Sequence, residues 1–123
     1  MVMHPLVSVV DDDQSVRESL PDLLREFGLS VAVFSSAEEF LASDSIGQTQ
    51  CLILDIAMPG MTGPDLQREL MLRRQKIPIV FITALRDETV GPRLLKEGAV
   101  ACLAKPFSET ALMDAISAAL RVN

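Results

Sequence analysis

Residues 51–55 read Cys51-Leu52-Ile53-Leu54-Asp55, four apolar residues closed by a carboxylate. A run of that length without polar alternation is the pattern of a strand buried on both faces, as in a parallel sheet. The charge at its end needs partners, since a buried carboxylate is costly alone. A second run, Leu6-Val7-Ser8-Val9-Val10, leads straight into Asp11-Asp12-Asp13. Side by side and parallel, the two strands would gather four acids at one sheet edge. Close like charges repel and raise one another's pKa unless a cation sits among them. The pairing points to a site for a hard divalent metal beside a reactive aspartate.

Outward from these strands, apolar runs alternate with amphipathic segments, the signature of an α/β doubly wound parallel sheet. The spacing predicts strands over 6–10, 31–34, 51–55, 79–82 and 100–103. It predicts helices over 14–27, from Ser36, over 63–74, between 87 and 97, and from 108 or 109 to 121. Val16, Leu20, Leu23, Leu24 and Phe27 form the apolar stripe of the first helix, Asp13 its N-cap, and Pro21 is expected to kink it or weaken one turn. Ser36 with Glu39 reads as a capping box. Residues 43–50 read as a polar loop, and Gly91-Pro92 predicts a short or irregular fourth helix.

The 123 residues make one domain, 1–123, with a core from about 5 to 121. A net charge of -6 offers no basic face for phosphates, which argues against nucleic-acid binding by this domain itself. Cys51 and Cys102 lie in apolar runs without metal-ligand spacing, so buried free thiols in a cytoplasmic protein are expected. No apolar run approaches membrane-spanning length, and no charged leader precedes an apolar stretch at the N-terminus. His4, the one histidine, reads as solvent-exposed. Met58 and Met61 read either as partner contacts on an exposed loop or as loop filling. Pro59-Gly60 and Gly63 read as shaping that loop.

In open parallel sheets, ligands bind beyond the carboxyl ends of the strands where strand order reverses. Those ends carry Asp11 and Asp12, Asp55, Thr83-Ala84, and Lys105-Pro106-Phe107. Taken singly, Thr83 would be an ordinary strand-end hydroxyl and Lys105 a surface lysine; the set is specific.

With VVDDD at 9–13, LDIAMPGMTG at 54–63, ITA at 82–84 and KPF at 105–107, the chain resembles the receiver domain of bacterial two-component response regulators. The resemblance covers essentially the whole chain. DDDQSVRESL and SSAEEFLAS resemble most the receivers that carry a LuxR-type DNA-binding output domain. It implies a flavodoxin-like (CheY-like) five-stranded sheet of order 2-1-3-4-5 with five helices. It implies that Asp55 is the phosphoacceptor, served by a sensor histidine kinase. Asp12 would bind Mg2+ directly, for which Mn2+ can substitute, with Asp11 acting through water and the backbone carbonyl of Ala57 as a further ligand. Thr83 and Lys105 would bind phosphoryl oxygens, and the Lys105-Pro106 bond would be cis. Such a domain catalyses only its own phosphorylation and dephosphorylation. It would form a phosphorylation-dependent homodimer through the helix-four, strand-five, helix-five face, with any DNA contact made by a C-terminal output domain outside residues 1–123. A cytoplasmic location and a role in transcription regulation follow from the same resemblance.

Three residues depart from the family pattern. Cys102 stands where an aromatic switch residue is usual, beside the switch residue Thr83. Ala57 and Leu85, at positions that tune phosphoryl lifetime, are apolar and cannot hydrogen-bond an attacking water. Two alternatives stay open on the sequence: a phosphorylation-independent interaction module, and an aspartyl phosphatase of the haloacid-dehalogenase type. The latter is similar in its strand-end nucleophile but has a second aspartate where Ala57 stands here.

Overall fold

The computed structural model describes residues 4–84 and 89–122. Leu85 and the approach to the fourth helix at Asp87 lie outside them. The strands are β1 (Leu6–Val10), β2 (Ser30–Phe34), β3 (Cys51–Asp55), β4 (Ile79–Thr83) and β5 (Ala101–Ala104). The helices are α1 (Gln14–Glu26), α2 (Ala37–Leu41), α3 (Gly63–Leu72), α4 (Val90–Lys96) and α5 (Glu109–Val122). All strand pairs are parallel, in the order β2-β1-β3-β4-β5.

Strand alternation sorts the core into two layers. Val7, Val9, Cys51, Ile53, Val80 and Ile82 pack with Leu20 and Leu24 of α1 and Leu112, Ile116 and Ala119 of α5. Val10, Leu52, Leu54, Ile79 and Phe81 pack with Phe40 of α2, Leu66 and Leu70 of α3 and Leu94 of α4. Every residue of β3 and β4 is buried, which is why both strands read as unbroken apolar runs.

Several local expectations are corrected. Phe27 caps α1 and is 49% exposed, outside the apolar stripe. Gly28, at φ +81°, turns the chain there, and buried Leu29 fills the place instead. Pro21 withholds one backbone donor, yet α1 is helical throughout and buries it. Ser36 Oγ accepts from Glu39 N–H, but the Glu39 carboxylate reaches Ser35, not Ser36, so the box is half formed. The reciprocal box lies at α3: Thr62 Oγ1 accepts from Asp65 N–H, and Asp65 Oδ2 from Thr62 N–H.

The loop at 43–50 holds a 3-10 turn, Asp44–Gly47. From it Thr49 reaches the fully buried Ser8 of β1, with Oγ1 and Oγ 2.7 Å apart. Helix α3 ends two residues short of Arg74, which takes a left-handed φ of 58°. There Gln75 N–H donates to the Leu70 carbonyl and closes the helix. Helix α4 is short, as Gly91-Pro92 predicts, and no side chain caps its start. Strand β5 begins and ends one residue later than expected.

Candidate phosphoryl and metal site

Strand register builds the site. Val10 pairs with Leu54, so Asp11 follows β1 level with Asp55 at the end of β3. Asp55 pairs with Ile82, and Thr83 with Ala104, which brings Lys105 to the same edge. Lys105 N–H donates to the Thr83 carbonyl at 2.7 Å, and the Lys105-Pro106 bond is cis.

Asp11 is fully buried and fully engaged. Its Oδ2 accepts from Lys105 Nζ at 2.8 Å and its Oδ1 from Asp13 N–H at 2.9 Å. Its backbone N–H donates to the Phe34 carbonyl, and its own carbonyl accepts from Arg17 Nη1 at 2.8 Å. Lys105 Nζ also lies 3.9 Å from Asp55 Oδ1. Asp13 turns away and caps α1, accepting from the N–H and hydroxyl of Ser15. The Ser15 hydroxyl, then its N–H, hold the Asp13 carboxyl below its usual range.

Asp55 is 6% exposed. Burial pushes its carboxyl up from 3.8 to about 7. The charge of Asp11 adds to the rise, Lys105 opposes it, and hydrogen bonding to Asp11 and Asp12 adds further. Burial works against the charged form of Lys105, but its bond to Asp11 and the charges of Asp55 and Asp11 outweigh that and raise its pKa.

The residues present suit a hard divalent cation. Asp11, Asp12 and Asp55 each offer a carboxylate oxygen, and these lie within 4.8 Å of one another. Asp12 is exposed, so water has access to complete an oxygen shell, which an ion such as Mg2+ requires. The charge of Asp11 adds to the rise that burial imposes on Asp55, and a cation would relieve that repulsion. Ala57, two residues past Asp55, is exposed in the loop that leaves β3.

That loop is tightly made. Gly63 N–H donates to the Ile56 carbonyl at 2.9 Å. A Cβ on Gly63 would collide with the Asp55 carbonyl oxygen and stand 3.0 Å from Ile56 Cα, so only glycine lets α3 start this close to the end of β3. Met58 is buried in the core and Met61 packs against it. Both are loop filling, not exposed contacts.

Thr83 is buried at the end of β4. Cys102 is half-buried on β5 and faces α4: its Sγ lies 3.6 Å from where a Gly91 Cβ would stand. Cys51 is buried and its thiol is pushed up to about 12, which makes it inert. His4 is exposed, and its Nδ1 lies 2.7 Å from the Gly28 carbonyl oxygen. Sequence reasoning missed the Arg17 anchor and the Ser8–Thr49 pair; neither has a motif, because each joins residues brought together only by the fold.

Fold and edge chemistry define the class: a flavodoxin-like α/β domain with an acidic, cation-accepting site where strand order reverses. The chain belongs to the response regulator receiver domain family, whose model matches residues 7–117. It is 46% identical over 114 residues to nodulation protein W of Bradyrhizobium diazoefficiens, covering 93% of this chain and 50% of that protein. It is 44% identical over 117 residues to response regulator protein TodT of Pseudomonas putida, covering 95% and 52%. The chain thus spans about half the length of the curated relatives it matches. Among solved structures, response regulator StyR superposes with a TM-score of 0.90 at 49% identity, covering 98% of this chain and 61% of that one. FixJ-N superposes at 0.86 and 34% identity, covering 98% and 96%. Receiver domains generally bind Mg2+ at their acidic pocket, which agrees with the donor set here. No helix among the described residues is long and apolar enough to cross a membrane.

Proposed function

We propose that Asp55 accepts a phosphoryl group from a phosphohistidine on a sensor histidine kinase. The observation that carries this is the buried Asp55 carboxylate beside Asp11 and Asp12, with Lys105 Nζ 3.9 Å away. Asp12, Asp55 and the Ala57 carbonyl would hold Mg2+, with Asp11 acting through water. When bound, the ion supplies positive charge against the carboxylates and phosphoryl oxygens.

The chain's own residues do the rest. The ionised Asp55 oxygen bonds to phosphorus as the phosphorus–nitrogen bond breaks, and that electron pair stays on the donor imidazole. Lys105, tethered by Asp11, is positioned to pair with a phosphoryl oxygen, and Thr83 donates its hydroxyl to another. Catalysis is mainly positioning and charge neutralisation. The domain acts only on its own phosphoryl group and turns over no external phosphoester, since Ala57 offers no acid or base.

Phosphorylation shifts the α4–β5–α5 face between two states and promotes a homodimer through it. With Cys102 packed on Gly91, the shift passes through the seat of α4 on β5 and not through an aromatic side chain. Relatives named as transcriptional regulators, TdiR and FixJ among them, support an output in transcription. That output, of LuxR type, would contact DNA through a segment outside these residues, in the cytoplasm.

A small-molecule phosphodonor with Mg2+ should add one phosphoryl mass to the wild type and none to Asp55→Asn. Full uptake by the variant ends the assignment.

A further inference from the structure

The stretch from Ala57 to Met61 joins two fixed points. Before it, Ile56 N–H donates to the Ile82 carbonyl; after it, Thr62 begins the capping box of α3. Between them the stretch meets α2. Glu38 Oε2 accepts from Met61 N–H at 3.3 Å. Gly60 adopts a left-handed φ of 73°, and a Cβ there would stand 2.8 Å from the same Glu38 oxygen. Backbone conformation and carboxylate position therefore fit one another: the glycine leaves the space that Glu38 fills.

We propose that Glu38 is a positioning residue for the Ala57 carbonyl, fixing from α2 the loop that presents this oxygen to the metal. Glu38 touches neither metal nor phosphoryl group; it acts by holding Gly60-Met61 in place. The inference rests on the metal-dependent phosphoacceptor reading above. The same clasp links α2 to the phosphoryl site, so loop movement on phosphorylation would be felt at α2.

The test compares wild type, Glu38→Ala and Glu38→Gln. Glutamine keeps an acceptor and removes the charge. Met61 amide hydrogen exchange is measured without metal, and Mg2+ affinity by calorimetric titration. In Glu38→Ala, Met61 exchange should quicken and Mg2+ binding weaken, each about three- to tenfold, the size a single hydrogen bond confers. Glu38→Gln should restore most of both. The proposal is overturned if Glu38→Ala binds Mg2+ as tightly as wild type, or if the two variants weaken it equally, which would make the effect one of charge and not of position. A wild type that binds no Mg2+ at millimolar concentration overturns the metal reading itself, and this inference with it.

Discussion

Replacing Asp55 with Asn should stabilise the metal-free protein, by an amount set by pH. The carboxyl titrates at about 7 in the folded chain against an ordinary 3.8, chiefly through burial and then through Asp11. Each unit of displacement corresponds to about 1.4 kcal/mol, so the full shift gives about 4 kcal/mol as an upper bound. Solvent reaching the site at the exposed Asp12 edge screens part of it, leaving about 2 kcal/mol. Because the folded pKa is raised, the folded chain holds its proton where the unfolded chain has lost it. Below about pH 4 both states are protonated and nothing is lost. From there to about pH 7 stability falls as pH rises, and above that the loss is complete. Asparagine does not titrate. The variant's advantage should therefore grow from near zero at about pH 4 to about 2 kcal/mol at about pH 8, or roughly 6–10 °C in Tm. Thermal unfolding in a chelator across that range measures it, and added Mg2+ should narrow the gap by stabilising the wild type. An advantage independent of pH, or none at pH 8, would refute the reasoning.

Gly63→Ala should cost at least about 2 kcal/mol in urea unfolding, because the added methyl meets the backbone of Asp55 and Ile56, which has nowhere to move; a loss near zero would show that α3 can back away. Ser8→Ala should cost about 1 kcal/mol in urea unfolding by removing the Ser8 hydroxyl's donation to Thr49 Oγ1, which keeps its own donation to the Ser45 carbonyl, and Thr49→Val should cost more because it loses both bonds. Cys102→Phe should destabilise by about 1–3 kcal/mol through contact with Gly91 of α4, with equilibrium unfolding as the readout; an unchanged midpoint would mean α4 is loosely seated.

The central strands were the most legible elements, because β3 and β4 are buried on both faces and so carry unbroken apolar runs. The edge strands were less so. Strand β2 buries only Phe34 and leaves Ser30 and Val33 exposed, β5 is at most half-buried, and the start of each was misplaced by one residue. At the site, residue types and spacing named Asp11, Asp12, Asp55, Thr83 and Lys105. Only register shows that Asp11 is the buried acid holding Lys105 while Asp12 faces solvent. Glu38 and Arg17 carry no signal in the sequence, since their partners are backbone atoms of distant or adjoining loops. The Thr62–Asp65 box was present as a short pattern, with the shorter carboxylate in place of the glutamate sought at Ser36–Glu39.

The most direct measurement locates the phosphoryl group. The protein is treated with a small-molecule phosphodonor and Mg2+, and the product reduced with borohydride, which converts an aspartyl phosphate to homoserine. Peptide mass mapping should then find homoserine at position 55, dependent on Mg2+ and absent when the metal is chelated. Homoserine at 11 or 12, or undiminished labelling without metal, would contradict the account.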